Sequence, residues 1–186
     1  MSTKPKSNIS SFDWRMGTDP SVEERVQKLR EMLAFGVKRV ESDPKKLDWQ
    51  MYIEPYLTVH SYALKPHPTI TFRMETQPMH ANGSGNMHGG CTASVFDFCT
   101  SWPLHLISQP GAWQHLGVSR TLNCTYLRPV PIGATIDIQC EAIQHGAKMA
   151  VTRGMMRAVK PDGSLGPVLT ICEHGKFNTD PPAPKL

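Results

Sequence analysis

Residues 82–97 read Asn-Gly-Ser-Gly-Asn-Met-His-Gly-Gly-Cys-Thr-Ala-Ser-Val-Phe-Asp, and the rest of the chain is organised around them. A polar, glycine-rich loop runs into an apolar segment that is predicted to be a helix reaching about Ile107. If the helix begins at Gly89 or Gly90, its first N–H groups point unpaired into the loop and form an anion or oxyanion site. Asp97, the last residue of this stretch, has no other acidic residue within twenty positions on either side. We therefore expect the chemistry of the protein in this stretch.

Outside this stretch, the hydrophobic pattern predicts six β-strands joined by short turns. The predicted strands span 56–64, 69–76, 117–127, 134–143, 148–158 and 168–177. Proline and glycine between them are typical of tight turns, which make neighbouring strands antiparallel. The clearest alternation places one face of a strand inward, at Ala134, Ile136, Ile138, Cys140 and Ala142. The fold class is therefore α+β, a curved antiparallel sheet of about six strands wrapped around one long central helix.

An N-terminal amphipathic helix precedes the sheet. Asp19 and Pro20 are typical of an N-cap and a first helical position, and acidic residues follow in the first turn. Apolar residues then recur at spacings of three and four, and the helix should end near Ser42. The chain divides into a flexible arm at 1–17, a helical extension at 18–49, the main domain at 50–177 and a proline-rich tail at 178–186.

Composition sets the class of protein. The chain has 186 residues, of which 39% are hydrophobic and 19% charged, as expected for one globular domain with appendages. A net charge of +4 with scattered basic residues argues against nucleic-acid binding. Five cysteines and the histidines show no metal-ligand or disulfide spacing, so we expect no metal and a reducing compartment. No membrane span or signal peptide is predicted, and the expected location is the cytoplasm, with mitochondria as the alternative.

The spacing between His88 and Asp97 along the predicted helix bears on how the protein assembles. Nine residues on a helix are about 2.5 turns, or about 13 Å along the axis and half a circle around it. The helix start and the Asp97 carboxylate of one chain therefore cannot act on the same atom. Small residues beside Asp97, among them Ser94 and Ser101, would let another element approach closely. We predict a homodimer whose sites lie at the shared interface.

These residues and their order resemble the hotdog-fold acyl-CoA thioesterases of the PaaI type and of the mammalian thioesterase-superfamily-member-2 type. The resemblance rests on Asn82, His88-Gly89-Gly90 and Asp97, followed by Gly117-Val-Ser119 and Asn123-Cys-Thr-Tyr-Leu-Arg-Pro129, and it covers about residues 50–177. It implies a hotdog fold, an acyl-CoA substrate whose coenzyme A is the leaving thiol, no separate cofactor, and a dimer or a dimer of dimers.

The resemblance also assigns roles to residues. The Gly89 N–H would be the oxyanion donor and Asn82 would bind or polarise the thioester carbonyl. Asp97 of the opposite subunit would act as general base for water or as nucleophile, with Ser119 orienting the water. His88 would position the loop or the departing thiol. Further substrate contacts are expected at Gly90, His80, Asn123 and Lys148.

Other interpretations of the same residues remain open. His88 is also suited to be the N-cap of the helix, and an aspartate on an apolar helix is often paired structurally. Pro103 is expected to kink or end the central helix near Trp102, and the loop at 110–113 lengthens the path to Ser119, which bears on the substrate range. Two further functions are a non-catalytic acyl-CoA-binding or regulatory module and an enoyl-thioester hydratase or dehydratase.

Overall fold

The computed structural model of the chain describes residues 20–42 and 48–182. Within them lie two α-helices, α1 (Val22–Ser42) and α2 (Gly89–Cys99), and six strands. The strands are β1 (Leu57–Ala63), β2 (Thr69–Glu75), β3 (Val118–Tyr126), β4 (Thr135–His145), β5 (Met149–Val159) and β6 (Leu165–Phe177). All six predicted strands are present. None of the helices in this part of the chain is long and apolar enough to cross a membrane.

Helix α1 begins after Ser21, at Val22. The Ser21 hydroxyl accepts a hydrogen bond from Glu24 N at 3.2 Å, and the Glu24 carboxylate accepts one from Ser21 N at 2.6 Å. This reciprocal pair satisfies two N–H groups and fixes the start of the helix. The predicted N-cap Asp19 lies outside the described residues, as do the predicted arm at 1–17 and the last four residues of the predicted tail. The inward face of α1 is buried at Val26, Leu29, Met32 and Leu33.

The strands form one sheet in the order β1-β2-β4-β5-β6-β3, and every neighbouring pair is antiparallel. Helix α2 packs on the sheet through Phe96, which is fully buried. A Cβ atom at Gly154 of β5 would lie 2.5 Å from the Phe96 ring, so the missing side chain permits this close approach. The predicted inward face of β4 is confirmed, because its buried apolar residues are Ile136, Ile138, Cys140 and Ala142. The architecture is the predicted sheet around a central helix.

The central helix changes character before Pro103. Its α-helical part ends at Cys99, and a 3₁₀ helix continues over Trp102–Ile107. Proline has no N–H for the α-helical ladder, which accounts for the break near Trp102 that the sequence predicts. The segment predicted to be one helix as far as Ile107 is therefore an α-helix followed by a tighter turn. That turn places Trp102 and His105 beside the cavity described below.

Residues after β6 fix the loop that leads into β3. The buried Asp180 carboxylate accepts hydrogen bonds from Gln114 N at 2.5 Å and from His115 N at 3.1 Å. Gly117 follows with φ of +60°, and a side chain there would collide with the carbonyl oxygen of Phe177. This glycine lets β3 start against the end of β6, which sets the position of Ser119 two residues later.

Candidate active site

The loop before α2 is held by the side chain of Asn82. Its Oδ1 accepts hydrogen bonds from Ser84 N at 2.8 Å and from Asn86 N at 3.2 Å. Among the described residues, the Asn82 side-chain NH₂ group has no partner. The oxygen of this amide therefore builds the turn, as is typical of asparagine. The nitrogen remains as a donor for a ligand.

His88 is the N-cap of α2. Its Nδ1 accepts a hydrogen bond from Gly90 N at 3.0 Å. A Cβ atom at Gly90 would lie 3.1 Å from the same Nδ1, so glycine leaves room for this cap. Within the described part of the chain, no acceptor takes the Gly89 N–H. This N–H is therefore a free donor at the positive end of the helix dipole. We refer to residues 82–90 as the loop half-site.

Tyr126 ties the loop half-site to the sheet. Its hydroxyl donates to Gly89 O at 2.8 Å, so β3 anchors the first residue of α2. From the sequence, Tyr126 was expected only to be part of a motif. No local pattern links a strand tyrosine to a helix start that lies 37 residues earlier. The contact depends on the packing of α2 against β3.

The structure places side by side Asp97 and Ser119, to which the resemblance assigns the roles of base and water-orienting residue. The Ser119 hydroxyl donates to Asp97 Oδ1 at 2.6 Å. The side chain of Asp97 is 51% exposed, so solvent and a ligand can reach it. A hydroxyl donating to a carboxylate at this distance forms a strong, charge-assisted hydrogen bond. The pair can therefore hold a water molecule in a defined position.

Two buried residues of β6 lie beneath Asp97. His174 is 0% exposed, and its Nε2 lies 3.4 Å from Asp97 Oδ1. Lys176 is 3% exposed, and its Nζ donates to Ser101 Oγ at 2.7 Å. Together with Ser119, these three ionisable side chains form a continuous polar cluster. We refer to Asp97, Ser119, His174 and Lys176 as the carboxylate half-site.

Burial governs the protonation of the carboxylate half-site. Burial and then the positive charge of Lys176 lower the pKa of His174 to about 4, while Asp97 acts in the opposite direction. Burial also lowers the pKa of Lys176, again opposed by Asp97. At neutral pH the His174 ring is therefore neutral. The negative charge of Asp97 favours the protonated form of Lys176.

Neither His174 nor Lys176 was predicted to be a site residue, because His174 has no metal-ligand spacing and Lys176 belongs to no recognised motif. Both residues share the inward face of β6 with Cys172, in strict alternation. Burying an ionisable group is costly unless the group is partnered, so two of them on one inward strand face indicate a polar site. That alternation was the available signal.

A cavity of about 640 Å³ opens beside the carboxylate half-site. Helix α2 forms one wall with Asp97, and segment 49–54 from before β1 contributes to another. Trp49 Nε1 donates to Ser94 Oγ at 2.8 Å, which ties this segment to α2. Asn82 and residues 88–90 do not line the cavity. This agrees with the half circle around the helix axis that is expected to separate the two half-sites. The small-residue strip beside Asp97 is thus approached by the same chain.

The walls of the cavity carry two further titratable groups with shifted pKa values. Burial, and then the charge of Asp48, raise the pKa of Glu54 to about 7, opposed by Arg39. Burial, and then the charge of Arg25, lower the pKa of His105 to about 4. Both shifts favour the neutral form of the group. The cavity is therefore less charged than its residue types suggest.

The other predicted substrate contacts lie elsewhere. His80 is buried, its Nδ1 accepts from Gln77 N at 2.9 Å, and its Nε2 lies 2.7 Å from the carbonyl oxygen of Tyr52. Both ring nitrogens are engaged, which favours a scaffolding role over substrate binding. Asn123 and Lys148 are exposed on β3 and in the β4–β5 turn, and neither lines the cavity.

Part of this chain is similar in sequence to known proteins. Residues 84–163 match the family model of the Thioesterase superfamily. Human acyl-coenzyme A thioesterase 13 is 34% identical over 83 residues, which are 45% of this chain and 56% of that protein. The match thus spans about half the length of this curated relative. The predicted resemblance to PaaI-type hotdog thioesterases is confirmed.

Solved structures confirm the fold. Thioesterase superfamily member 2 from Mus musculus has a TM-score of 0.59 and 27% identity, with 82% of this chain and 96% of that chain covered. A Streptococcus mutans protein bound to acetyl CoA has a TM-score of 0.54 and 16% identity, with 68% and 90% covered. The phenylacetic acid degradation protein PaaI from Thermus thermophilus has a TM-score of 0.52 and 17% identity, with 66% and 93% covered.

Proposed function

We propose, on the premise of the thioesterase-superfamily match at residues 84–163, that the chain hydrolyses an acyl-CoA to a carboxylic acid and free coenzyme A. The observation that carries this proposal is the Asp97–Ser119 hydrogen bond of 2.6 Å beside an open cavity. Hydrolysis of a thioester needs a base near water and a donor where negative charge develops on oxygen. The carboxylate half-site offers the base, and the loop half-site offers the donors.

The roles of the donors follow from their free hydrogen atoms. The Gly89 N–H and the Asn82 NH₂ group bind the thioester oxygen, on which negative charge grows during attack. Asp97 takes a proton from water while the water oxygen bonds to the carbonyl carbon, and Ser119 orients that water. The C–S bond then breaks and its electron pair leaves with the coenzyme A sulfur. His88 keeps the loop in place as the helix cap.

Two copies of the chain complete one site in this proposal. The two half-sites lie on different sides of α2, so Asp97 serves the thioester bound by the loop half-site of the opposite subunit. Strand β3, which carries Ser119, is an end strand of the sheet and is largely exposed. An exposed end strand is suited to pair with a second copy. A dimer, or a dimer of dimers, is the expected assembly.

The cavity is the proposed site for the acyl group. It is lined by apolar side chains next to Asp97, and its volume suits a small organic ligand. The acetyl CoA bound by the Streptococcus mutans protein supports coenzyme A as the carrier. We expect no separate cofactor, and a cytoplasmic location stays a prediction.

Purified protein and a panel of acyl-CoA esters of graded chain length test the proposal. Free thiol should appear with the wild-type chain and should be lost in Asp97→Asn. Tight binding of coenzyme A esters without thiol release would instead indicate the binding module. Addition of water to an enoyl ester without free thiol would indicate the hydratase.

A mixed assembly tests the shared site. Asp97→Asn chains and Gly89→Pro chains, each inactive alone, should regain part of the activity when they are co-assembled, because one of the two sites then holds an intact base and an intact donor. Mixed dimers carrying different affinity tags are isolated in two steps before the assay. No recovery in such a dimer would contradict the shared site.

A further inference from the structure

His174 has one ring nitrogen that the fold leaves without a partner. The side chain is 0% exposed, and in the described part of the chain Nε2 has no hydrogen-bond partner. Asp97 Oδ1 lies 3.4 Å from this nitrogen, which is longer than a good hydrogen bond. Leaving a buried polar atom unpaired costs free energy. The position of this nitrogen behind Asp97 therefore calls for a physical explanation.

The neighbouring threonine determines where the ring proton sits. Thr100 Oγ1 lies 2.5 Å from Phe96 O and 2.7 Å from His174 Nδ1. A carbonyl oxygen can only accept, so the single hydroxyl proton of Thr100 goes to Phe96 O. Nδ1 must then donate to Thr100 Oγ1 and carry the ring proton. In the neutral ring Nε2 is left with a lone pair, 3.4 Å from the nearer Asp97 carboxylate oxygen.

The charges around the ring keep it in this state. Asp97 on α2 and Lys176 on β6 are the charged groups that face it, while β3 and β5 place the uncharged Leu122 and Thr152 opposite it. Burial, and then the positive charge of Lys176, lower the pKa of His174, so its ring stays neutral at physiological pH. A neutral acceptor next to a carboxylate has no attractive partner in the resting enzyme. It gains one when the carboxylate binds a proton.

We infer that His174 is a positioning residue for the hydrolysis proposed above, and that its Nε2 accepts a hydrogen bond from Asp97 once Asp97 has taken a proton from water. The water O–H bond breaks, the proton moves to the Asp97 carboxylate, and the resulting O–H group donates to Nε2. The terminal torsion of an aspartate is soft, so a small rotation of the carboxyl group brings its O–H toward the ring. The proton later leaves Asp97 for the departing thiolate or for solvent.

Such a contact lowers the barrier because it exists only after proton transfer has begun. An interaction that is stronger in the transition state than in the ground state raises kcat, whereas one that is present in both changes KM. The unpaired Nε2 of the resting enzyme raises the energy of the starting state. The hydrogen bond that forms during the reaction removes that cost. The positive charge of Lys176 disfavours a second proton on His174, so the proton is not passed on to the ring and can be returned from Asp97.

Two substitutions of His174 separate this role from packing. In His174→Asn the side-chain amide keeps a donor near the position of Nδ1, so the bond to Thr100 is retained, but nothing reaches toward Asp97. In His174→Gln the longer amide places an acceptor oxygen near the position of Nε2. Thermal unfolding of both proteins shows whether each variant is folded. A packing role would affect both variants, whereas an acceptor role affects the asparagine variant selectively.

The expected result is a split between kcat and KM. His174→Asn should lower kcat by about tenfold to a hundredfold, the size of one hydrogen bond made only during the reaction, with KM unchanged. The acidic limb of its kcat/KM profile should move to lower pH, because protonated Asp97 has lost an acceptor that stabilised it. His174→Gln should retain most of kcat and the wild-type pH profile.

Nuclear magnetic resonance of ¹⁵N-labelled histidine provides a readout that does not depend on activity. The folded wild-type protein should show His174 protonated at Nδ1 and unprotonated at Nε2 at neutral pH. A proton on Nε2, or equal losses of kcat in both variants without a shift of the acidic limb, would overturn the inference. A wild-type chain that releases no thiol from any ester would instead overturn the proposed function and leave the tautomer measurement as the test of the geometry.

Discussion

The two half-sites are built in different ways. The loop half-site is held mainly by hydrogen bonds within residues 82–90, where the Asn82 oxygen closes the turn and His88 caps Gly90. The carboxylate half-site joins α2, β3 and β6, and its contacts cross 22 residues between Ser119 and Asp97 and 75 between Lys176 and Ser101. Donors for an oxyanion are thus organised by a short peptide. The base is organised by the register of the sheet, so changes in the two regions should have different signatures.

The largest effect is expected at Asp97. Asp97→Asn removes the base but keeps a side chain of the same shape, so the chain should still fold, with a lower thermal midpoint because the buried Lys176 loses a compensating charge. Activity toward the best acyl-CoA should fall by about 10²–10⁴-fold, the usual contribution of a general base. Initial rates of thiol release measure the loss. Activity within tenfold of the wild type would place the base elsewhere and remove the functional distinction between the half-sites.

Gly89→Pro tests the loop half-site by deleting one hydrogen atom. Proline suits the first helical position, and His88 has the extended backbone (φ −63°, ψ 136°) that a following proline requires. The proposed oxyanion N–H is lost while the helix start is kept, so kcat should fall by about 10²–10³-fold.

Gly89→Ala is the matched control for this proline variant. It retains the N–H, and its Cβ would make only an ordinary 3.5 Å contact with Tyr126. It should therefore keep most of the activity. Equal losses in the two variants would show that the glycine matters for its size and not for its N–H group.

Asn82→Asp distinguishes the role of the side-chain oxygen of Asn82 from the role of its NH₂ group. The carboxylate keeps the oxygen that binds Ser84 N and Asn86 N, so the loop should remain folded. It lacks the NH₂ donor and brings a negative charge toward the thioester oxygen, so kcat/KM should fall by about a hundredfold. Asn82→Ala should lose activity and also lower the thermal midpoint, because the turn loses its closing acceptor. A fully active Asn82→Asp would limit Asn82 to a structural role.

The smallest effect is expected at Glu54, in the cavity wall next to the carboxylate half-site. Its pKa is raised by burial from 4.5 to about 7, so the folded state holds a proton that the unfolded state releases. The stability that this group contributes is complete below about pH 4.5 and is lost as the pH rises through about 7. Glu54→Gln should gain stability relative to the wild type between pH 5 and pH 8, by at most about 3 kcal/mol. Denaturant unfolding at both pH values measures the difference, and a constant offset would contradict it.

The division into local and distant contacts also explains what the sequence could predict. Strand alternation and the order of Asn82, His88-Gly89-Gly90 and Asp97 were sufficient to predict the sheet and the central helix, and the roles assigned to the loop half-site stay predictions. Helix α1 was predicted to begin at Pro20 but begins at Val22. Ser21 and Glu24 cap each other, and this pairing competes with the aspartate–proline pattern just before it.

The remaining features depend on strand register and packing. His174 and Lys176 face Asp97 only because β6 pairs with β3 and β5 in one register. The cavity wall formed by segment 49–54 depends on how that segment returns to α2. His80 was predicted to bind substrate from its place near the loop. Its partners Gln77 and Tyr52 became visible only in the folded chain.

The hydrogen bond between Trp49 and Ser94 gives the protein an intrinsic optical probe. Trp49 is 63% exposed and lines the cavity, whereas Trp102 and Trp113 are almost fully buried. A ligand that enters the cavity changes the polarity around the Trp49 indole, one turn of α2 before Asp97. Trp102 also lines the cavity but is buried, so the shift of the emission maximum should be large in the wild type and smaller in Trp49→Phe. Occupancy can then be followed by fluorescence even in variants that cannot turn over.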